Sequence, residues 1–307
     1  MLRYPVLALL ALASLILLAG PAAAAKAGPS LPKRIEKAAG KGKQRAVAVA
    51  YFHSGTGATY SRLADLRFHP ASTMKVPVMM ALFDAVDRGE MRLDEPIAIR
   101  NQFQSIVDGS AYQLDPAEDG DPDLYAAVGQ TKPLEELIRR MIVRSSNLAT
   151  NLLIDRIGAL RVTDLMRQLG AENLRVLRGV EDQKAYDAGL NNVTTARDLQ
   201  VILKFLLPNA QGGPWTPASR QRMIDILRAQ EFKEKIPAGL PPGTPVAHKT
   251  GDITGIHHDA AIVFPPGEEP YVLVVLTGGI NDEAEANRVI AEVSKLVWEG
   301  RRELPGK

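Results

Sequence analysis

The 307-residue sequence is 46% hydrophobic and 23% charged, a globular balance with enough chain for one large domain or two lobes. A formal net charge of +2 and an aromatic content of 5% provide neither a basic surface nor base-stacking platforms, so nucleic acid is not an expected partner. The absence of cysteine removes disulfides, thiolate catalysis and cysteine-ligated metal together.

Residues 1–25 read as a secretory signal: Arg3 supplies a positive start, residues 6–18 an apolar core, and Ala22-Ala23-Ala24-Ala25 small-residue cleavage sites. The apolar core is shorter than the roughly 20 residues a membrane span requires. No lipid-attachment cysteine follows Leu18-Ala19-Gly20, where Pro21 stands instead. The expectation is a periplasmic or secreted protein, free of the membrane after cleavage and monomeric by default. Residues 26–32 read as a linker.

A short helix is expected over 31–39, ended by Gly40 and a basic turn through Lys43. Residues 45–52 form an apolar strand, and 58–61 pair back after the turn Ser54-Gly55-Thr56-Gly57. Then comes Phe68-His69-Pro70-Ala71-Ser72-Thr73-Met74-Lys75-Val76-Pro77, a polar entry into an apolar helical run that ends near Gly89. Lys75 is the i+3 neighbour of Ser72, so an amine and a hydroxyl share one helix face near its N-terminus. A desolvated, neutral lysine can take a serine's proton, which makes Ser72 a candidate nucleophile. Pro77 has no N–H for the carbonyl of Thr73, which predicts a tight or kinked entry to this helix.

Residues 93–99 lead into a polar loop carrying Asp115, Glu118, Asp119, Asp121 and Asp123. It lacks the alternation and closing glutamate of an EF-hand, and reads as a solvated acidic loop. Helices are expected over 134–144, 147–157 and 162–169, with a polar loop over 171–193. Further helices fit 194–207 and 217–229, the second capped by Thr216. Strands fit 245–250, 259–264 and 271–277, with turns at 251–255 and 265–267, and a last helix fits 283–298. Strands at both chain ends enclosing a helical middle predict an α/β (α+β) fold, an antiparallel sheet flanked by helices with an inserted all-α lobe. The expected catalytic domain spans 33–303, with the α/β lobe at about 33–70 and 200–303 and the all-α lobe at about 71–199.

Two more motifs carry chemistry. Ser145-Ser146-Asn147 lies at a helix junction, 73 residues beyond Ser72, and offers a hydroxyl to relay a proton and a carboxamide to bind an amide. Either serine could equally be a simple helix cap. Lys249-Thr250-Gly251 ends a strand, where an ammonium and a hydroxyl can hold a carboxylate and a glycine admits a substrate backbone. No Gly-x-Ser-x-Gly elbow supports an α/β-hydrolase, and His257 and His258 on one strand face opposite ways, which argues against joint zinc ligation.

The ordered set Ser-x-x-Lys, Ser-x-Asn and Lys-Thr-Gly resembles the class A β-lactamase and penicillin-recognising serine hydrolase family over roughly residues 33–300. The resemblance implies a β-lactamase/transpeptidase-like fold, an acylated Ser72, Lys75 in its proton path and Ser145 as relay. It implies that Asn147 binds the substrate side-chain amide, that Lys249 and Thr250 hold its carboxylate beside Gly251, and that the backbone N–H groups of Ser72 and Asp252 form the oxyanion hole. Substrates would be β-lactams or peptidoglycan-like peptides, with no metal or organic cofactor. Ser146 stands where class A enzymes carry aspartate. In the long loop, Glu181 is the candidate deacylation base, but Lys184 and Ala185 occupy the places of the family's Leu-Asn pair and Leu190-Asn191 comes too late. Asn191 is the candidate to hold the water instead, and a salt bridge to Arg178 is the structural reading of Glu181. The D,D-peptidase-like hydrolase and the penicillin-binding protein that acylates without efficient release are the alternatives.

Overall fold

The computed structural model describes residues 29–40 and 45–306. The expected signal over 1–25, residues 26–28 of the linker and residues 41–43 of the basic turn lie outside the described residues. In chain order the elements are α1 (Leu31–Ala39), β1 (Ala46–His53), β2 (Thr59–Arg62), a 3-10 turn (Ala71–Met74) and α2 (Lys75–Asp87). Then follow β3 (Pro96–Ala98), β4 (Phe103–Gln104), β5 (Ala111–Tyr112), β6 (Thr131–Pro133), α3 (Leu134–Val143), α4 (Asn147–Ile157) and α5 (Ala159–Gln168). The chain closes with α6 (Gln183–Asp187), α7 (Ala196–Lys204), α8 (Pro217–Arg228), β7 (Val246–Ile253), β8 (Ile256–Val263), β9 (Tyr271–Gly278) and α9 (Glu283–Gly300).

The main sheet has five strands in the order β2-β1-β9-β8-β7, every pair antiparallel, so strands from both chain ends meet at the β1–β9 pairing. Alternation along these strands separates two cores. Val47, Val49, Tyr51, Leu273 and Val275 face α1 and α9. Ala48, Ala50, Val272, Val274 and Leu276 face the opposite way, into the core that contains α2, α3 and α4. Alanines on the second face let the helical layer approach closely. Within that layer α2 is buried almost all round, which explains its unbroken apolar run.

Several expectations are refined. The turn expected over 251–255 contracts to Thr254 and Gly255, because Gly251 pairs with His258 and Ile253 with Ile256, leaving only the glycine at φ +72° to reverse the chain. Helix α5 begins at Ala159 rather than at 162, since Gly158 at φ +85° ends α4 and starts α5 at once. The 171–193 segment contains the five-residue α6, too short to show a period, capped by Asp182. The acidic loop is not simply solvated. Asp121 is fully buried between Arg140 and Arg144, at 2.7 and 2.6 Å, and Asp119 is buried beneath the start of α4. The tight entry expected from Pro77 is the 3-10 turn that carries Ser72 into α2.

Before β7, a 3-10 turn (Ile236–Gly239) packs on α9 so closely that a Cβ at Gly239 would lie 2.0 Å from the Ala291 carbonyl oxygen. Gly239→Ala should therefore lower stability by about 3 kcal/mol through overpacking against backbone that cannot yield. Thermal unfolding checks this, and a wild-type Tm would show that the turn moves freely.

Candidate active site

The 3-10 turn that presents Ser72 is held from both sides. Ala71 adopts φ +46°, an uncommon conformation for a residue with a side chain. The Ala71 N–H donates to His69 Nδ1 at 3.1 Å, and Thr73 donates its N–H and hydroxyl to Pro70 O at 3.1 and 2.6 Å. Burial, with the nearby Arg178 charge, lowers His69 to about 4, so a neutral ring is available as acceptor. Burial likewise lowers His258 to about 4. Its Nε2 lies 2.9 Å from His69 O, and its Nδ1 lies 2.8 Å from His257 O and 3.2 Å from the Thr277 nitrogen. On the other side, a Cβ at Gly251 would fall 2.9 Å from the backbone nitrogens of both Ser72 and Thr73. The glycine thus lets the edge strand β7 lie against the turn.

One turn after Ser72, Lys75 is fully buried and its Nζ donates to Ser145 O at 2.6 Å, Asn147 Oδ1 at 2.8 Å and Ser145 Oγ at 3.1 Å. Burial pushes this amine down to about 7, while the Asp119 and Glu181 carboxylates pull it back upward. A second lysine is buried nearby. Lys249, fully enclosed on β7, is lowered well below the ordinary lysine range by desolvation first and by the Lys75 charge second. Its Nζ donates to Thr250 O at 3.0 Å.

The α3–α4 junction divides its labour between two serines. Ser146 caps α4, its hydroxyl accepting the Ala149 N–H at 3.2 Å, whereas Ser145 sits at φ +59° and turns its hydroxyl to Lys75. The cap reading therefore applies to Ser146 and leaves Ser145 available for chemistry. Asp119 fixes the junction from below, accepting the N–H groups of Asn147 at 3.0 Å and Leu148 at 2.8 Å. A carboxylate at a helix N-terminus is the favourable sign for the dipole.

Glu181 lies across the cleft, also in the left-handed region at φ +61°. Its Oε1 accepts from Asn147 Nδ2 at 2.8 Å. Protein packed around the carboxyl raises its pKa although the side chain opens to solvent at the cleft mouth, with the Asn147 hydrogen bond acting the other way. Arg178 does not pair with it: the guanidinium donates to Leu190 O, Gly179 O and Asn191 Oδ1 at 3.0, 3.0 and 2.8 Å. The alternative reading of Glu181 as the partner of Arg178 is thus not met, and the Asn191 oxygen accepts from arginine. The loop is secured instead by Asn151, which accepts the Val180 N–H at 2.7 Å and donates to Val180 O at 3.0 Å. Asp182 adds a second anchor, accepting from Ser105 Oγ at 2.8 Å and Ile106 N at 3.0 Å.

Two adjoining cavities, of about 280 and 240 Å³, share Ser72, Asn147 and Asp252 in their walls. The first extends toward Glu181 and Tyr186, the second toward Ser145, Thr250 and Lys235. The sequence profile described as the β-lactamase enzyme family matches residues 30–300. The chain belongs to that family. Within it, the chain is a class A β-lactamase-like serine hydrolase.

Among curated relatives, a β-lactamase of Streptomyces fradiae is 31% identical over 94% of this chain and 92% of its own length. The carbapenem-hydrolysing β-lactamase KPC of Klebsiella oxytoca is 28% identical over 83% of each chain. Among solved structures, PBP-A superposes with a TM-score of 0.75 at 29% identity, covering 89% of this chain and 96% of its own. A point mutant of PBP-A, solved as an acyl-enzyme complex with penicillin G, superposes equally well at 0.75 and 29% identity, over 89% of this chain and 97% of its own.

Ser72, Lys75, Ser145, Asn147, Glu181, Thr250, Gly251 and Asp252 thus surround one cleft, with Lys249 enclosed behind the β7 edge. Sequence reasoning missed Asp119, Asn151, Asp182 and Lys235. Asp119 carried no local signal, because the backbone groups it caps lie 28 and 29 residues away. His257 and His258 do separate as their alternation required, one toward Asp252 and the other toward His69. Asp119→Ala should cost about 1–2 kcal/mol as a lost helix cap. It should also slow acylation by letting Asn147 and Ser145 shift. Thermal unfolding and single-turnover acylation check the pair of effects, and a destabilised variant with unchanged acylation would make Asp119 purely structural.

Proposed function

We propose that this protein opens β-lactam rings through an acyl-enzyme on Ser72 and then hydrolyses that ester. The observation that carries the reading is the desolvated Lys75 amine, one turn from Ser72 and bonded to Ser145 and Asn147. With its pKa at about 7, a substantial neutral fraction is present at physiological pH and can take the Ser72 proton, directly or through Ser145 Oγ. Ser72 Oγ then bonds to the lactam carbonyl carbon, and the negative oxygen meets the backbone N–H groups of Ser72 and Asp252. Collapse breaks the ring C–N bond, and the proton held by Lys75 passes through Ser145 to the departing nitrogen. Asn147 orients the acyl side-chain amide, while Lys249 and Thr250 provide the polar wall for the carboxylate end. In the second step Glu181 takes a proton from water as it attacks the ester, and Ser72 leaves with its proton restored.

A second reading has its own support. Glu181 bonds to Asn147, and Lys184 and Ala185 stand where the family's Leu-Asn pair would help hold the water. On that reading the protein acylates as a penicillin-binding protein or D,D-peptidase-like hydrolase and releases the product slowly. We propose further that the protein is exported, on the signal-like residues 1–25.

Incubation with a chromogenic cephalosporin followed by intact mass measurement decides between these readings. Turnover with free enzyme is the expected result; a persistent adduct supports slow release; no adduct at Ser72 overturns both. Glu181→Gln should acylate normally and accumulate adduct, with turnover reduced about 10²–10⁴-fold by loss of the base. Wild-type turnover by that variant would remove Glu181 from the mechanism. The neutral fraction of Lys75 rises with pH, so single-turnover acylation should climb through a midpoint near pH 7. A rate that stays flat from about pH 5 to 9 would exclude lysine as the base.

A further inference from the structure

The cavity beside Thr250 is where a substrate carboxylate would settle, and its cation already has an anion. Lys235 lines this cavity with a side chain only 3% exposed, and its Nζ lies 3.0 Å from Asp252 Oδ1 and 3.1 Å from Oδ2. His257 Nδ1 lies 2.8 Å from the same Oδ1, so the Asp252 carboxylate is held on two sides. The backbone next to Lys235 is also fixed: Asp259 Oδ2 accepts the Ile236 N–H at 3.0 Å, and Ser294 Oγ donates to Ile236 O at 2.8 Å. Lys249 gives no second open cation, since it is enclosed and bonded to Thr250 O. The remaining ionisable groups on the cavity wall, Glu118, Glu234 and Glu283, are all carboxylic acids.

We propose that Asp252 is a specificity-determining residue: its carboxylate holds Lys235 as an internal counter-ion and so weakens the preference for substrates that carry their own carboxylate. This rests on Ser72 being the acylated residue. An incoming carboxylate must displace Asp252, exchanging one ion pair for another, or remain beside it with like charge. Neither route yields much net attraction. With the aspartate charge removed, Lys235 becomes a nearly buried ammonium lacking its counter-ion, and a substrate carboxylate compensates that cost on arrival.

The test compares the rates at which benzylpenicillin and its methyl ester acylate the protein, followed by intact mass after rapid quenching. In wild type the two rates should lie within about tenfold of each other, because Lys235 is already paired. In Asp252→Asn, and in Asp252→Ser as a second variant, the acid-to-ester ratio should rise about tenfold. In a Lys235→Gln background the same substitution should leave the ratio unchanged. If Asp252 instead holds Lys235 in place to receive the substrate, the ratio falls in Asp252→Asn, and the proposal is wrong. A wild-type ratio of about 100 or more would also overturn it, without any variant having to fold. Failure of both compounds to label wild-type Ser72 defeats the acyl-enzyme reading itself, a result distinct from any change in ratio.

Discussion

The site depends on where one amine is buried. Lys75 opens α2 immediately after the turn that carries Ser72, and its Nζ has three oxygen acceptors contributed by the α3–α4 junction. A lysine withdrawn from water loses much of its preference for the charged form, and here that loss outweighs the attraction of Asp119 and Glu181. In the neutral form the two N–H groups serve Ser145 O and Asn147 Oδ1 and the lone pair faces the Ser145 hydroxyl, so the nitrogen is held in either protonation state. The same hydrogen bonds tie the helix that follows Ser72 to the junction that offers Ser145 and Asn147. Geometry and proton affinity therefore come from one contact.

Around that contact the backbone is held in conformations that side chains seldom choose. Ala71, Ser145 and Glu181, at φ +46°, +59° and +61°, belong respectively to the turn that carries Ser72, the α3–α4 junction and the loop across the cleft. Such conformations cost on the order of 1–3 kcal/mol each and persist where the surroundings over-determine them. The surroundings are visible: His69 and His258 around the turn, Ser146 and Asp119 at the junction, Asn151 and Asp182 under the loop.

The fold was legible in the sequence because its determinants are local. The continuous apolar runs of β1 and β9 and the apolar stripes of α3 and α4 follow from the chain itself. Strands at both ends also imply that the sheet closes through the β1–β9 pairing. The residues that gather at the cleft were legible only as three motifs in order. What held them was not, since Asp119 and Lys235 act across the fold on partners 28 and 17 residues away. The acidic loop misled for the same reason. Its carboxylates look solvated until the helix start and the two arginines that enclose them are in place. Likewise, Glu181 and Arg178 are neighbours in sequence but turn to different partners, Asn147 for one and Leu190, Gly179 and Asn191 for the other.

The central claim is that burial, not a neighbouring general base, prepares Lys75 to receive a proton. The most direct measurement is an NMR titration of the resting protein with 13C at lysine Cε, the Lys75 resonance being assigned by its loss in Lys75→Arg. The account predicts that this resonance titrates near pH 7, well below a lysine's ordinary value of about 10.4. A Lys75 resonance that remains in the ammonium form up to about pH 10 would contradict it.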